Sequence, residues 1–279
     1  GSFDVASLER YLPDYLGVSD ATLVFRDLRT SHTLTVDSID LLLERDSESS
    51  ASGGATGSCL GGSGNLSAEF TWDGESSTLA VAGELASAAL SEDLPVPPAV
   101  PLIISSGDLS AGFNASVSPD SIHGLDLGFS VTNAAVFLPG IGESLTAVAG
   151  RGRIHDSRFI VTQALGRWRD ARWSASGTVE GSGAIEELSI EANDVPVGPF
   201  TALIGEQGEL SGRLDLAARI DGTLSDPVAR LSIDNGVVAV PEIRLADLSG
   251  VLVLSRDGVN VEGIAASVAG GTLTATGSI

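Results

Sequence analysis

Four segments of the pattern L-S-[AG]-x-[FL] punctuate the chain, and self-similarity of this kind constrains a fold more than any single residue does. They run from Leu66 to Phe70, Leu109 to Phe113, Leu210 to Leu214 and Leu248 to Leu252. A second pattern, [LW]-x-[AV]-x-G-x-[LVI], occupies Leu79 to Leu85, Trp173 to Val179 and Leu273 to Ile279. Both have a period of two, the period of a strand whose alternate side chains face opposite ways. Leu210, Gly212, Leu214 and Leu216 therefore share one face and Ser211, Arg213, Asp215 and Ala217 the other. Leu231 and Ile233 repeat the contrast against Arg230, Ser232 and Asp234 after a turn at Ser225-Asp226-Pro227. The Asn235-Gly236 pair reads as a further hairpin signal. About 15 to 18 strands fit in this way, and at about 4.8 Å each a single sheet would be on the order of 70 to 85 Å wide.

The composition agrees with many short strands. Gly contributes 34 of 279 residues and the aromatics 5%, while Val, Leu, Ile, Ala, Ser and Thr supply most of the rest. The fold class expected is all-β, one long sheet with an apolar face, and one or two short helices. Asp4 to Leu12 carries helical spacing before Pro13, and 199–204 is a second short candidate. From Ala21 the chain turns strand-like, with Leu23 and Phe25, then Leu34 and Val36. After a shift at Ser38 come Ile39, Leu41 and Leu43.

Four regions follow. Residues 1–43 hold the short helix and first strands, and 44–64 read as a flexible Gly/Ser/acidic loop. Residues 65–137 are β repeats interrupted by a Pro-rich crossing at 94–101, where the ladder would lack donors. Residues 138–279 carry the clearest repeats. The chain reads as a middle piece of a longer protein.

The formal charge of -22, with Arg as the sole strong base because the sequence has no Lys, argues against nucleic acid as a partner, since phosphate binding draws on clustered cations. The missing Lys removes Walker P-loops, pyridoxal Schiff bases and Ser-Lys dyads. Gly57-Ser58-Cys59-Leu60-Gly61 has the letters of a nucleophile elbow without the strand before it and the helix after it, so Cys59 reads as a free loop cysteine. Gly61 to Asn65 offers a single imperfect copy of a calcium nonapeptide, and His32, His123 and His155 lack ligand spacing. No metal, cofactor or catalytic residue is expected, and the chain is read as no enzyme.

The stretch Leu210 to Leu214, through Ile220-Asp221-Gly222-Thr223-Leu224-Ser225-Asp226-Pro227, to Ile233-Asp234-Asn235-Gly236 resembles the repeat of the TamB and AsmA-like family. Leu248-Ser249-Gly250 and Gly270 to Gly277 strengthen that similarity, which covers about residues 138–279. The resemblance implies a long curved antiparallel sheet forming an open half-pipe with an apolar inner face, in the periplasm of a diderm bacterium, bridging inner and outer membranes and carrying or shielding phospholipid acyl chains. It also implies a part in outer-membrane protein assembly, with an outer-membrane β-barrel protein and an inner-membrane anchor on the same longer chain as partners.

The groove-lining candidates are Leu66, Phe70, Leu79, Val81, Leu109, Phe113, Trp173, Leu210, Leu214, Leu216, Ile220, Leu231, Ile233, Leu248, Leu252, Leu254 and Leu273. Arg151, Arg153, Arg167, Arg169 and Arg172 form the one locally basic region, read either as an outer docking patch or as the solvated face of two strands. Trp168 and Trp173 are expected to face each other across a hairpin closed at Asp170-Ala171. Alternation alone fits a sandwich core or a β-helix interior as well as a lipid groove, and a repetitive surface adhesin or structural envelope protein with a closed core is the rival function.

Overall fold

In a computed structural model the described residues are 14–26, 33–47, 49–59, 62–90, 102–118, 121–139, 142–198, 210–240 and 243–278. They form sixteen strands: β1 Tyr15–Arg26, β2 Thr33–Arg45, β3 Ser50–Cys59, β4 Gly64–Asp73, β5 Thr78–Leu90, β6 Ile103–Ser118, β7 Ser121–Leu138, β8 Glu143–His155, β9 Arg158–Trp168, β10 Ala171–Glu180, β11 Ala184–Pro196, β12 Ser211–Thr223, β13 Asp226–Val240, β14 Ile243–Ser255, β15 Gly258–Val268 and β16 Gly271–Ser278. Each strand pairs with its neighbours in sequence, and the antiparallel sheet does not close, since β1 and β16 are not partners. The all-β expectation holds. The two short helix candidates and the Pro-rich crossing lie outside the described residues.

The turns explain why successive strands pair so directly. Asp156-Ser157 joins β8 to β9 with φ of 47° and 63°, and Ala269-Gly270 joins β15 to β16 with φ of 46° and 84°. Two successive left-handed residues match the twist of the strands they connect.

The chain divides into two compact units, one of 1–96, 104–134 and 151–157, the other of 97–103, 135–150 and 158–279. In the second unit the ladder slips repeatedly. Between β11 and β12 the register shifts at Ala192/Val195, between β12 and β13 at Arg213/Asp215, and between β13 and β14 on both sides of Gly236. The extra residues centre on Asp194, Asn235 and Asp247, with φ of 58°, 52° and 50°. Asp and Asn enter this region more readily than most side chains. β12 itself stays regular, and its Asp215 carboxylate accepts from the backbone N–H of Asp194 at 2.9 Å and from the Asn235 side-chain amide at 3.3 Å. One carboxylate thus satisfies donors that two bulges expose. The first unit uses the same device at Ser38 and Ser87, where Ser110 Oγ accepts from Ser87 N–H at 3.5 Å.

Several sequence expectations change here. The shift at Ser38 is a real bulge between β2 and β3. Residues 44–64 are not a loop, because β3 occupies Ser50–Cys59 and pairs with β4 without a register shift and with β2 beyond that bulge. The small side chains of β3 hid it. Asn235-Gly236 is a bulge inside β13 rather than a hairpin, since a left-handed Asn serves both. The β9–β10 turn is Arg169-Asp170, so Ala171 pairs with Trp168 and Trp173 with Gly166. Trp168 and Trp173 share a face as diagonal neighbours and do not oppose each other. Trp173 lies flat over Gly166, where an added Cβ would stand 2.8 Å from the indole.

Candidate functional site

Register and alternation together sort the sheet of each unit into two faces. In the second unit the pairs Trp173↔Ala192, Ala192↔Leu216, Leu216↔Ile233, Ile233↔Gly250 and Gly250↔Ile264 carry one face across six strands. A second row runs Ile190↔Ala218, Ala218↔Leu231, Leu231↔Leu252 and Leu252↔Val261. Ile220, Leu254 and Leu273 extend the same face. In the first unit Leu43↔Gly53, Gly53↔Phe70, Phe70↔Val81 and Val81↔Ala115 make one row. Ala51↔Trp72 and Trp72↔Leu79 make another, while Gly57↔Leu66, Leu66↔Leu85 and Leu85↔Ala111 make a third. Phe113 and Leu109 lie on that face opposite Gly83 and Ala88. The groove candidates therefore segregate by unit onto one apolar face each.

Exposure divides this face in two. Beside the bulges it is dry: Val195 is 0% exposed, Val197 3%, and Leu214, Ile233 and Leu248 each 8%, packed with Ala171 and Ala266. A bulge bends its strand, which brings Leu210, Val238 and Leu245 against the same cluster. Away from the bulges the face is uncovered. Ile220 and Leu231 are half-buried, Leu254 is 37% exposed and Leu273 50%, whereas Leu216 and Leu252, also half-buried, pack against the dry cluster. The sequence placed these groove candidates in one class, whereas Leu214, Ile233 and Leu248 belong to a packed core, Leu210, Leu216 and Leu252 lie against it, and Ile220, Leu231, Leu254 and Leu273 belong to an open surface. Val195 and Ala171, the most buried members, had not been singled out, and their signal is an alternation that slips by one beside Asp or Asn.

Cys59 ends β3 on the apolar face next to Gly64 rather than in a loop, and burial pushes its thiol above the usual range. Trp72, 6% exposed, closes over Ala51, 1% exposed. A shallow depression of about 990 Å³ opens on the other, polar side of β1 to β5, lined by Gly17, Asp40, Gly54, Thr56, Glu69, Ala82 and Glu84 among others. Tyr15, Val18 and Leu42 add apolar groups to its carboxylates, and it includes none of the expected groove residues.

The polar faces collect the charge. Arg230 forks onto Glu262 at 2.7 and 2.5 Å, and Arg213 reaches Asp170 at 3.3 Å and the Asp194 carbonyl at 3.3 Å. Arg219 lies 3.8 Å from Glu187, and Arg158 3.4 Å from Glu180. The basic region resolves residue by residue. Arg153 pairs with Asp126 and Arg169 with Glu143, which also accepts from the Trp168 indole N–H at 3.3 Å. Those Arg partners hold the Asp126 and Glu143 carboxyls below the ordinary carboxylate range. Arg167 and Arg172 oppose each other across β9 and β10. Among the described residues no group of three or more His, Cys, Asp or Glu is placed to hold a metal ion.

No family model, curated protein or solved structure matches this chain. Its chemistry must be read from the two faces alone. One face of each unit offers large aliphatic and aromatic groups, with Arg45 at the end of its row in the first unit, and the other offers carboxylates and guanidiniums.

Proposed function

We propose that the chain is a periplasmic segment of a TamB/AsmA-like envelope protein that carries or shields phospholipid acyl chains on its apolar face, between inner and outer membranes, with a role in outer-membrane protein assembly. The single observation that carries this reading is the open part of that face, where Ile220 and Leu231 stand half-buried and Leu254 37% exposed in one charge-free surface. A contiguous uncovered apolar surface calls for an apolar occupant. Fully covering one Leu adds about 1.5–3 kcal/mol, so a methylene chain crossing several strands gains enough to stay yet meets no charge to trap it. The dry row beside the bulges fixes the backbone without using that surface. The reading assigns no covalent chemistry to any residue.

Native mass spectrometry of the protein released from membranes tests it. The expected spectrum carries adducts of phospholipid mass that Leu231→Asp and Leu254→Asp together remove while the fold is retained. A lipid-free spectrum from membranes, or adducts unaffected by both substitutions, would overturn the reading.

A further inference from the structure

Guanidiniums face one another at two places on the polar face of the second unit, and the two places are resolved differently. Arg219 stands directly opposite Arg230 across β12 and β13. Each has its own carboxylates, Glu187 and Asp221 for Arg219 and Glu262 for Arg230. Arg167 stands directly opposite Arg172 across β9 and β10, and no carboxylate lies within ion-pair distance of either among the described residues. Like charges directly opposed repel, so this second pair costs stability without a compensating anion among the described residues.

Two of the surrounding acids are already engaged. Glu143 is held by Arg169 and the Trp168 indole, and Asp170 by Arg213. Glu191 pairs with Ser174 one step along the strands and leaves the Arg row itself without a carboxylate. The next residue in that row, across from Arg172 on β11, is the neutral and exposed Asn193. Two exposed guanidiniums and a side-chain amide thus lie in line across three strands, on a chain where carboxylates outnumber Arg by 37 to 15.

We propose that Arg167, Arg172 and Asn193 bind a phosphate dianion, either inorganic phosphate or a phosphate monoester. Opposed residues in an antiparallel pair place their Cβ atoms about 4.5–5.5 Å apart, so both forks can converge on one small anion. A carboxylate presents two oxygens and fills one guanidinium fork, whereas a phosphate monoester presents three and two charges. Binding neutralises the repulsion that the bare sheet retains. The site lies on the face opposite the proposed acyl-chain surface and stands or falls independently of it.

Calorimetric titration of the whole chain with inorganic phosphate at constant ionic strength tests the site. The expected result is saturable binding with one phosphate per chain, weakened about tenfold or more in Arg167→Gln and in Arg172→Gln, as loss of a charge-assisted fork implies. Arg219→Gln, which removes an opposed guanidinium with its own carboxylates, should bind as the parent does. Without phosphate, Arg172→Gln should melt no earlier than the parent, because it removes a repulsion; a merely structural Arg would not behave so. Cosedimentation with phosphatidylcholine vesicles doped with phosphatidate, lost in the same two variants, would assign the anion to a lipid head group. Binding of free phosphate without cosedimentation would assign it to a soluble one. No saturable binding of phosphate, or equal binding by the parent and the Arg167→Gln and Arg172→Gln variants, overturns the proposal.

Discussion

The polar faces of β2 to β6 and of β10 to β16 solve one electrostatic problem in opposite ways. On β2 to β6 it carries Asp37, Asp40, Glu44, Glu69, Asp73, Glu84 and Asp108, and among the described residues no Arg shares that face, Arg45 falling on the apolar row opposite Ala51. On β10 to β16 carboxylates alternate with Arg213, Arg219 and Arg230 in cross-strand pairs. The apolar faces behind them are alike. Polar-face charge can therefore vary widely while the apolar pattern persists, as expected if burial along the apolar face specifies the register and exposed ion pairs add little.

The largest effect expected separates the dry row from the open face. Val195→Asp, at 0% exposure, strands a charge among Leu214, Ile233 and Leu248 and should cost about 4 kcal/mol. Leu231→Asp, at a partly exposed position, should cost about 1 kcal/mol because its carboxylate still reaches water. Urea denaturation of both variants measures the gap. Equal costs would mean that the open face is as tightly packed as the bulge row.

Gly212→Ala comes next. Gly212 holds φ of 126° on β12, and an added Cβ would collide with the Val237 carbonyl, so a loss of about 2 kcal/mol is expected. Gly112, on the polar side of β6, has only the Gly83 carbonyl at 4.0 Å. Its Ala variant should be nearly neutral, and the same denaturation series compares them.

A smaller and opposite pair of responses should distinguish the polar faces. Salt screens repulsion on β2 to β6 and attraction on β10 to β16, so amide exchange should slow in the first and quicken or stay level in the second as salt rises. Acid adds a signed check. The Asp126 and Glu143 carboxyls titrate below their unfolded range because Arg153 and Arg169 hold them. Their contribution is present above the ordinary carboxylate pKa and is lost as pH falls through it toward the depressed folded value. Asp126→Asn and Glu143→Gln should therefore flatten the acid limb of the stability curve. An unchanged limb in both variants would show that these pairs hold nothing.

How much of this was legible in the sequence follows from where the side-chain period is loud. Leu210 to Ile220 alternates large apolar with charged residues, and its faces fall as expected. β3 was missed because its apolar side is Ala51, Gly53, Ala55, Gly57 and Cys59, too small to contrast with the Ser and Thr between them. Its strand conformation comes from tertiary context, with Leu41 and Leu43 on one side and Phe70 and Trp72 on the other. The bulge at Asn235 was misassigned because the same left-handed preference marks hairpin turns. The Trp pair was offset because the turn at Arg169-Asp170, with Arg169 at φ of 54°, carries none of the usual Gly or Asn signals. The opposed Arg167 and Arg172 required the register, which that turn sets.

Leu252 and Val253 are adjacent aliphatic residues on β14, both half-buried, on opposite faces of the sheet. A photo-crosslinking amino acid placed at each in turn, followed by irradiation in envelope membranes and lipid analysis of the adducts, tests the central claim most directly. The apolar face is predicted to capture phospholipid from position 252 and not from position 253. Equal capture from both positions, or capture from neither while the protein remains folded, would contradict an acyl-chain surface on that face.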